Sequence, residues 1–385
     1  MSAYWIVIKN IIFMIADGIV SSSIPVYKLS GDSYSIGFSY GSQDKENIRR
    51  VLSHHVDVAG WYGGVLVDVL SLIIDVGSFW GEDGLAELQG IADGAGVPVE
   101  SLIYHNLQKY AVGACSHFAG CFLGSGEFCH GANIDVPVLL ILRDSLTFHL
   151  QYRFPVGGIP YVIPGMAAVL MGIGGFNECG LFLSSSMLID AAQPKQVSGK
   201  FHGKIVTDLL SSCGTIDEAS RFLANVSGWG GWSIAVSSPR EKRVIYAEYH
   251  GNKTMIDSVN NSFICSNHSR LFQVDNSKIP EHSRIRYERL NTLLNPNKIT
   301  NNTSGNKIYF DPNKKINEIE TILFDRHNHI KKTDSKFGTM NTILRVDHAV
   351  TLLADDKNNY AITLTNDAEQ KKFTTTINTS DIFIK

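Results

Sequence analysis

Apolar and polar positions along the chain change period several times, and each change predicts an element. Residues 23–43 alternate apolar with small or polar side chains and break at Gly41-Ser42, which predicts a strand running into a loop. Asp44 then reads as an N-cap for a helix carrying Ile48, Val51, Leu52 and Val56 at helical spacing. Residues 82–110 read as helix, break, helix: Leu85, Leu88 and Ile91 share one stripe, Gly94, Gly96 and Pro98 end it, and Ser101 restarts it. At Gly113 the period switches to two, and a Gly-Ser-Gly turn at 124–126 predicts a β-hairpin. Alternating segments continue through 147–190, followed by a helix over about 204–212. Thr215-x-x-Glu218 is a capping box that opens the next helix. Strands are predicted at 231–249 and 261–267, a helix from Ser283 with Tyr287, Leu290 and Leu294 toward a core, loop over 295–315, and strands at 341–353 and 360–378. Helices, many strands, helices and strands again, without βαβ alternation or repeats, predict α+β layers.

Composition supports a sizeable core. Of 385 residues, 44% are hydrophobic and 18% charged, which excludes a disordered or fibrous chain. The net charge of −3 provides no positive field for a nucleic-acid partner. Charge is uneven: residues 1–250 carry 15 basic and 22 acidic side chains, residues 251–385 carry 19 and 15, and Asn rises from 6 to 19 across that boundary. The last third therefore reads as loop-rich surface. Lys9 and Asp17 interrupt the apolar N-terminus, so no transmembrane segment is expected there. A signal peptide would carry its positive charge ahead of the apolar run, which favours a soluble, cytoplasmic chain over a secreted one.

Three of six cysteines, Cys115, Cys121 and Cys129, fall within fifteen residues. With His130 they form C-x5-C-x7-C-H, which lacks the short chelating spacing of a structural zinc site, so neither metal nor cofactor is expected. Alternation places Phe118, Phe122, Phe128, Ile134 and Val136 on one hairpin face, and Cys115, His117, Cys121, Cys129, Asn133 and Asp135 on the other. A three-residue turn at 124–126 would set Cys115 opposite Asp135, His117 opposite Asn133 and Cys121 opposite Cys129, and a two-residue loop or a bulge would shift each pair by one.

The stretch ELQGIADGAGVPVESLIYHN, followed in order by ACSHFAG, GANID, GFNECGL, CSNH and HSRIR, resembles the acyl-coenzyme A:6-aminopenicillanic acid acyltransferase family of N-terminal nucleophile hydrolases, and more distantly the choloylglycine hydrolases. The resemblance implies a four-layer αββα sandwich and a precursor that cuts itself between Ala114 and Cys115. Residues 1–114 and 115–385 would then stay together as one domain, the cleaved N-terminal fragment being the partner of the rest. It implies Cys115 as nucleophile, Asp135 holding the Cys115 amine, Asn267 offering its side-chain amide to an oxyanion, and Arg286 polarising the site, with Arg284 as the alternative if the helix register differs. A thiol and an α-amine both titrate near neutrality, so the freed amine can take the thiol proton without a separate base.

Two departures modify that pattern. Ala132 stands where choloylglycine hydrolases carry Arg, which argues against a bile-salt-type substrate. Ser184-Ser185-Ser186 stands where relatives present a second oxyanion Asn, leaving Ser186 the best candidate by spacing, with His117 and Asn133 as further oxyanion or substrate-binding candidates. The implied reaction cleaves a non-peptide C–N bond of a small acyl amide, or moves an acyl group from an acyl thioester or amide to an amine. A non-catalytic or binding protein that keeps the fold and a thiol-rich metal-binding module are the remaining alternatives. Asn177 in GFNECGL reads as structural, a Gly-bounded turn between strands.

Overall fold

The structure is a computed structural model. It describes residues 25–53, 76–109, 114–121, 128–135, 149–170, 172, 174–189, 199–259 and 262–294, and five strand segments beyond residue 326. Two sheets lie face to face. Strands β1 (Val26–Gly31), β4 (His149–Pro155), β5 (Tyr161–Gly165), β6 (Gly174–Asn177), β7 (Phe182–Met187), β8 (Gly231–Ser238), β9 (Arg243–His250) and β10 (Lys253–Val259) form an eight-stranded sheet in that order. All neighbours in it are antiparallel except β1 and β4. Strands β2 (Ala114–Cys121), β3 (Phe128–Asp135) and β11 (Ser262–Cys265) belong to the second sheet. So do β14 (His348–Ala354), β15 (Tyr360–Asn366) and β16 (Phe373–Asn378), in the order β11-β2-β3-β14-β15-β16. The two-residue strands β12 (His327–Asn328) and β13 (Thr333–Asp334) pair with each other.

Helices cover both outer faces. On the eight-stranded sheet lie α1 (Ser33–Gln43), α2 (residues 45–53), α3 (Val76–Ala95), α5 (His202–Ser212) and α6 (Ile216–Ala224), with α4 (Val99–Lys109) against α3. Helix α7 (Glu281–Leu294) packs on β2 and β11 of the other sheet. Strands β2 and β3 contact β7, while β2 and β11 contact β9, closing the sheet-to-sheet interface. The expected αββα layering is therefore the architecture of the described residues.

Local chemistry accounts for the element boundaries. The predicted capping box is formed: Thr215 Oγ1 accepts from Glu218 N, and Glu218 Oε2 accepts from Thr215 N. Residues 33–43 differ from the expectation, because they are helix rather than strand and loop. Asp32 caps that helix, its Oδ1 accepting Ser35 N at 2.8 Å. The small residues that mimic strand alternation instead let two helices approach closely. A Cβ at Gly41 would lie 2.4 Å from the Ile91 carbonyl oxygen, and one at Gly90 2.2 Å from that of Tyr34. Asp44 stands at the junction of α1 and α2, where its N–H donates to Tyr40 O and its carbonyl accepts Ile48 N–H, while its buried carboxylate accepts from the hydroxyls of Tyr27 and Tyr40 and from Asn47 Nδ2. Val56, the predicted loop 295–315 and the apolar N-terminal run lie outside the described residues. No helix among the described residues is long and apolar enough to cross a membrane.

Candidate active site

The hairpin strands form as expected, but their register is one residue from the expectation. Cys115 pairs with Ile134, Ala114 with Asp135, His117 with Ala132, and Cys121 with Phe128. Cross-strand partners sum to an odd number because an even number of residues separates the last pair, whereas a three-residue turn needs an even sum. Directly opposed side chains share a face, so the odd/even division of the hairpin fails as well. His130 accompanies His117: both bond to Ser184 Oγ, at 2.7 and 2.8 Å. Asp135 is placed at the register position of Ala114, one residue before the candidate nucleophile, and its side chain lies outside the described residues.

Cys115 is buried near the start of β2 and is clamped through its main chain. Its N–H donates to Asn267 Oδ1 at 2.8 Å, and its carbonyl oxygen accepts from Arg286 Nη1. The same guanidinium donates to Ser116 Oγ at 2.8 Å and, through Nη2, to Asn267 Oδ1 at 2.6 Å. Arg286 is fully buried in α7, whereas Arg284 is exposed and pairs with Glu288 at 3.2 Å. Of the two arginines, Arg286 is the one turned to Cys115. Asn133 is buried on β3 at the register position of Ser116.

Every polar group of Asn267 has a partner. Oδ1 takes two donors, Nδ2 donates to Met187 O at 2.8 Å, the backbone N–H donates to Ser283 Oγ at 2.8 Å, and the carbonyl accepts Ile189 N–H at 2.9 Å. Two donors facing Oδ1 and a carbonyl facing Nδ2 fix the amide orientation without ambiguity. The side-chain oxygen therefore points at the Cys115 main chain. Ser283 also reaches His268 Nδ1 and Ser266 Oγ, each at 2.8 Å. Beyond His268, the buried Glu248 carboxylate accepts the backbone N–H groups of Arg270, Leu271 and Phe272 and so holds the loop after Asn267.

Ser186 differs from its expected role. It is fully buried between the sheets, and its hydroxyl donates to the Ser266 carbonyl at 2.7 Å, so the proton needed for an oxyanion is already engaged. Its neighbours form a polar layer of which the sequence pointed to His117 but not to the rest: His117, His130, Ser184, Ser233 and Ser237 are all buried. Burial pushes His117 and His130 down to about 3, with the neighbouring His130 adding to the effect on His117, so both rings are neutral at pH 7. The available signal was serine at every second or fourth position of otherwise apolar strands: Ser184 and Ser186 on β7, Ser233 and Ser237 on β8. Burial also raises the Cys265 thiol, the inert case for a cysteine. Cys129 is a buried thiol outside any disulfide, and its register partner is Gly120, not Cys121. Asn177 is structural as expected: its Nδ2 donates to Leu210 O and Cys213 O, and its Oδ1 accepts Leu181 N–H.

Residues 147–367, more than half of the chain, match the profile of the family described as acyl-coenzyme A:6-aminopenicillanic acid acyl-transferase. The chain belongs to that family and is an enzyme of the amide-cleaving or acyl-transferring class. Among solved structures, penicillin V acylase from Agrobacterium tumefaciens aligns at 14% identity and a TM-score of 0.42, covering 66% of this chain and 83% of that one. An N-acylethanolamine-hydrolyzing acid amidase ortholog from Caenorhabditis elegans aligns at 12% and 0.41, covering 62% and 92%. A mutant of conjugated bile acid hydrolase from Clostridium perfringens aligns at 12% and 0.38, covering 69% and 93%. No protein with a curated description matches the chain.

Proposed function

We propose that the chain is a self-processing cysteine amidohydrolase whose nucleophile is the side chain of a newly exposed N-terminus at Cys115. The observation that carries this reading is the double clamp on Cys115: Asn267 Oδ1 on its nitrogen and Arg286 on its carbonyl, both buried. Cleavage after Ala114 would turn that nitrogen into an α-amine whose N–H is already held by Asn267 and whose lone pair is left for the thiol proton. Residues 1–114 and 115–385 remain associated in this reading, because α1 and α3 share one core with β5, β7 and β8. Asp135, across from Ala114, is assigned to hold the amine.

In the reaction, the amine takes the Cys115 proton, and sulfur forms a bond to the amide carbonyl carbon as the carbonyl π pair moves to oxygen. The oxyanion collapses, the C–N bond breaks, and the leaving amine departs with the proton from the ammonium. Water then attacks the thioester, releasing the acid and restoring the thiol. Asn267 Nδ2 carries a second hydrogen besides the one given to Met187, and we assign it to the oxyanion. Ser186 is not assigned that role. The substrate class is a small acyl amide, such as an N-acyl amino acid or an acylated β-lactam nucleus. Family membership also favours a second reading, in which an amine rather than water resolves the thioester.

Intact-mass spectrometry of purified protein tests the proposal. Two fragments meeting at Ala114/Cys115 are expected, Cys115→Ala should stay whole, and an uncut wild type whose Cys115 resists alkylation would remove the basis of the assignment. Supplying an amine acceptor separates transfer from hydrolysis by the product formed.

A further inference from the structure

Protons in the layer between the sheets can be assigned one by one. The Ser266 carbonyl can only accept, so the Ser186 hydroxyl donates to it at 2.7 Å. The 2.8 Å contact between Ser186 Oγ and Ser233 Oγ then uses the Ser233 proton, for which the Ser186 carbonyl at 3.3 Å and Cys265 Sγ at 3.5 Å are the longer contacts. His117 Nε2 lies 3.2 Å from Ser186 Oγ and 3.3 Å from Ser233 Oγ, and neither has a hydrogen left, so Nε2 carries the proton. In the neutral ring Nδ1 is bare and accepts the Ser184 hydroxyl at 2.8 Å. Ser184 Oγ in turn accepts from His130 Nε2 at 2.7 Å, which leaves His130 Nδ1 to accept from Ser237 at 2.8 Å. Five side chains from four strands thus donate in one direction, from Ser237 on β8 through β3, β7 and β2 to the carbonyl of Ser266.

That carbonyl belongs to the peptide whose N–H is Asn267's own, and Ser283 Oγ accepts this N–H from the opposite side at 2.8 Å. Both poles of one peptide plane are therefore held, and the Asn267 side chain reaches Cys115 from it. We propose that His130, Ser184 and His117 are positioning residues, which act through Ser186 to fix the Ser266–Asn267 peptide and so aim the Asn267 carboxamide at Cys115. The inference rests on the proposed Cys115 chemistry for its kinetic consequence, but not for its proton assignment. Neither histidine acts on substrate: His117 and His130 are buried in the layer, with both nitrogens of each ring turned to serines.

The first test needs no variant. In 15N-histidine-labelled protein at pH 7, His117 and His130 should both appear as neutral Nε2–H rings, and a charged ring or an Nδ1–H tautomer at either position overturns the chain. The second uses Ser184→Ala, which removes the link between the rings. With whichever p-nitroanilide, from acetyl to lauroyl, the wild type cleaves best, kcat should fall about tenfold with KM within about twofold, the loss expected for one oriented hydrogen bond. His130, whose Nε2–H loses its acceptor, should relax toward Nδ1–H in the same variant, and Ser184→Thr, which keeps the hydroxyl, should regain most of kcat. An unchanged kcat in a processed Ser184→Ala protein overturns the positioning role. If Ser184→Ala fails to fold, Ser237→Ala at the far end replaces it and should lower kcat less. A wild type that neither cuts itself nor turns over any anilide defeats the Cys115 reading instead, and the tautomer spectrum still decides the chain.

Discussion

Asn267 and Cys115, 152 positions apart, meet through one buried hydrogen bond in which Asn267 Oδ1 accepts the Cys115 backbone N–H at 2.8 Å. Because Arg286 donates to the same oxygen, losing the carboxamide strands two buried donors at once. Asn267→Ala is expected to cost about 2–4 kcal/mol in chemical denaturation and to stop processing, since an unsatisfied buried donor loses its full hydration and a charged one more. Asn267→Asp keeps the acceptor but sets an oxygen against Met187 O in place of Nδ2, so it should still be cut while kcat falls at least about tenfold. Equal stability of the Ala variant and the wild type would show that the clamp holds nothing.

Arg286 and Arg284 offer a paired comparison within a single helical turn. Arg286 donates to Cys115 O, Ser116 Oγ and Asn267 Oδ1 from two nitrogens, a reach that a single ammonium cannot reproduce. Arg286→Lys should destabilise by about 2–3 kcal/mol and slow self-cleavage, whereas Arg284→Lys, at an exposed pair with Glu288, should change stability by less than about 0.5 kcal/mol. Denaturation midpoints and the time course of fragment formation measure both. An indifferent Arg286→Lys would mean that charge alone, not the forked geometry, serves this site.

The same helix shows what the sequence could and could not disclose. HSRIR announces a serine and an arginine three apart, a spacing that puts both on one helix face, and the structure turns Ser283 and Arg286 to the same partner, Asn267. Strands of period two, the capping box and the break before Pro98 were legible because each is a local pattern with a local cause. Hairpin register was not, because it depends on the parity of the connecting loop, which the glycines at 124 and 126 do not fix. Residues 33–43 misled for a different reason. Serines and glycines imitate strand alternation, and only the partner helix shows that Gly37 and Gly41 are spaced one helical turn apart to admit α3. The histidine and serine layer stayed hidden because polar residues on alternating strands normally read as the wet face, and here that face is covered by a second sheet.

Close approach of α1 and α3 predicts opposite outcomes for two glycines of the same helix. A Cβ at Gly90 would meet the Tyr34 carbonyl oxygen at 2.2 Å and the Phe38 nitrogen at 2.8 Å, both backbone atoms that cannot move aside alone. Gly90→Ala should therefore cost about 1–3 kcal/mol. At Gly84 the nearest atom is Trp80 Cβ at 3.4 Å, ordinary contact, so Gly84→Ala should gain about 0.5–1 kcal/mol from helix propensity. Urea titrations of the two variants check the sign of each. A neutral Gly90→Ala would mean that the helices can separate without loss.

Stability should fall with acid well before the carboxylates titrate, and the sign follows from the buried histidines. His117, His130 and His202 are pushed down to about 3 and His268 to about 4, each chiefly by burial, while an unfolded chain holds a proton on histidine below about 6.5. Between these limits the unfolded state binds more protons, so the free energy of unfolding rises with pH and is lost as pH drops from about 6.5 toward 4, at about 1.4 kcal/mol per pH unit for each ring. His202 is the clean probe of this effect. It stacks on Trp232 at 3.8 Å on the helix-covered side of the eight-stranded sheet, with its nitrogens 2.7 Å from Tyr249 Oη and Ser185 Oγ, away from the Cys115 clamp. Denaturant midpoints recorded from pH 7 to pH 5 should fall steeply for the wild type and less steeply, by one proton, for His202→Gln, even though that variant starts from lower stability at pH 7. A slope that is flat, or the same in both proteins, would mean that these rings take up protons without unfolding.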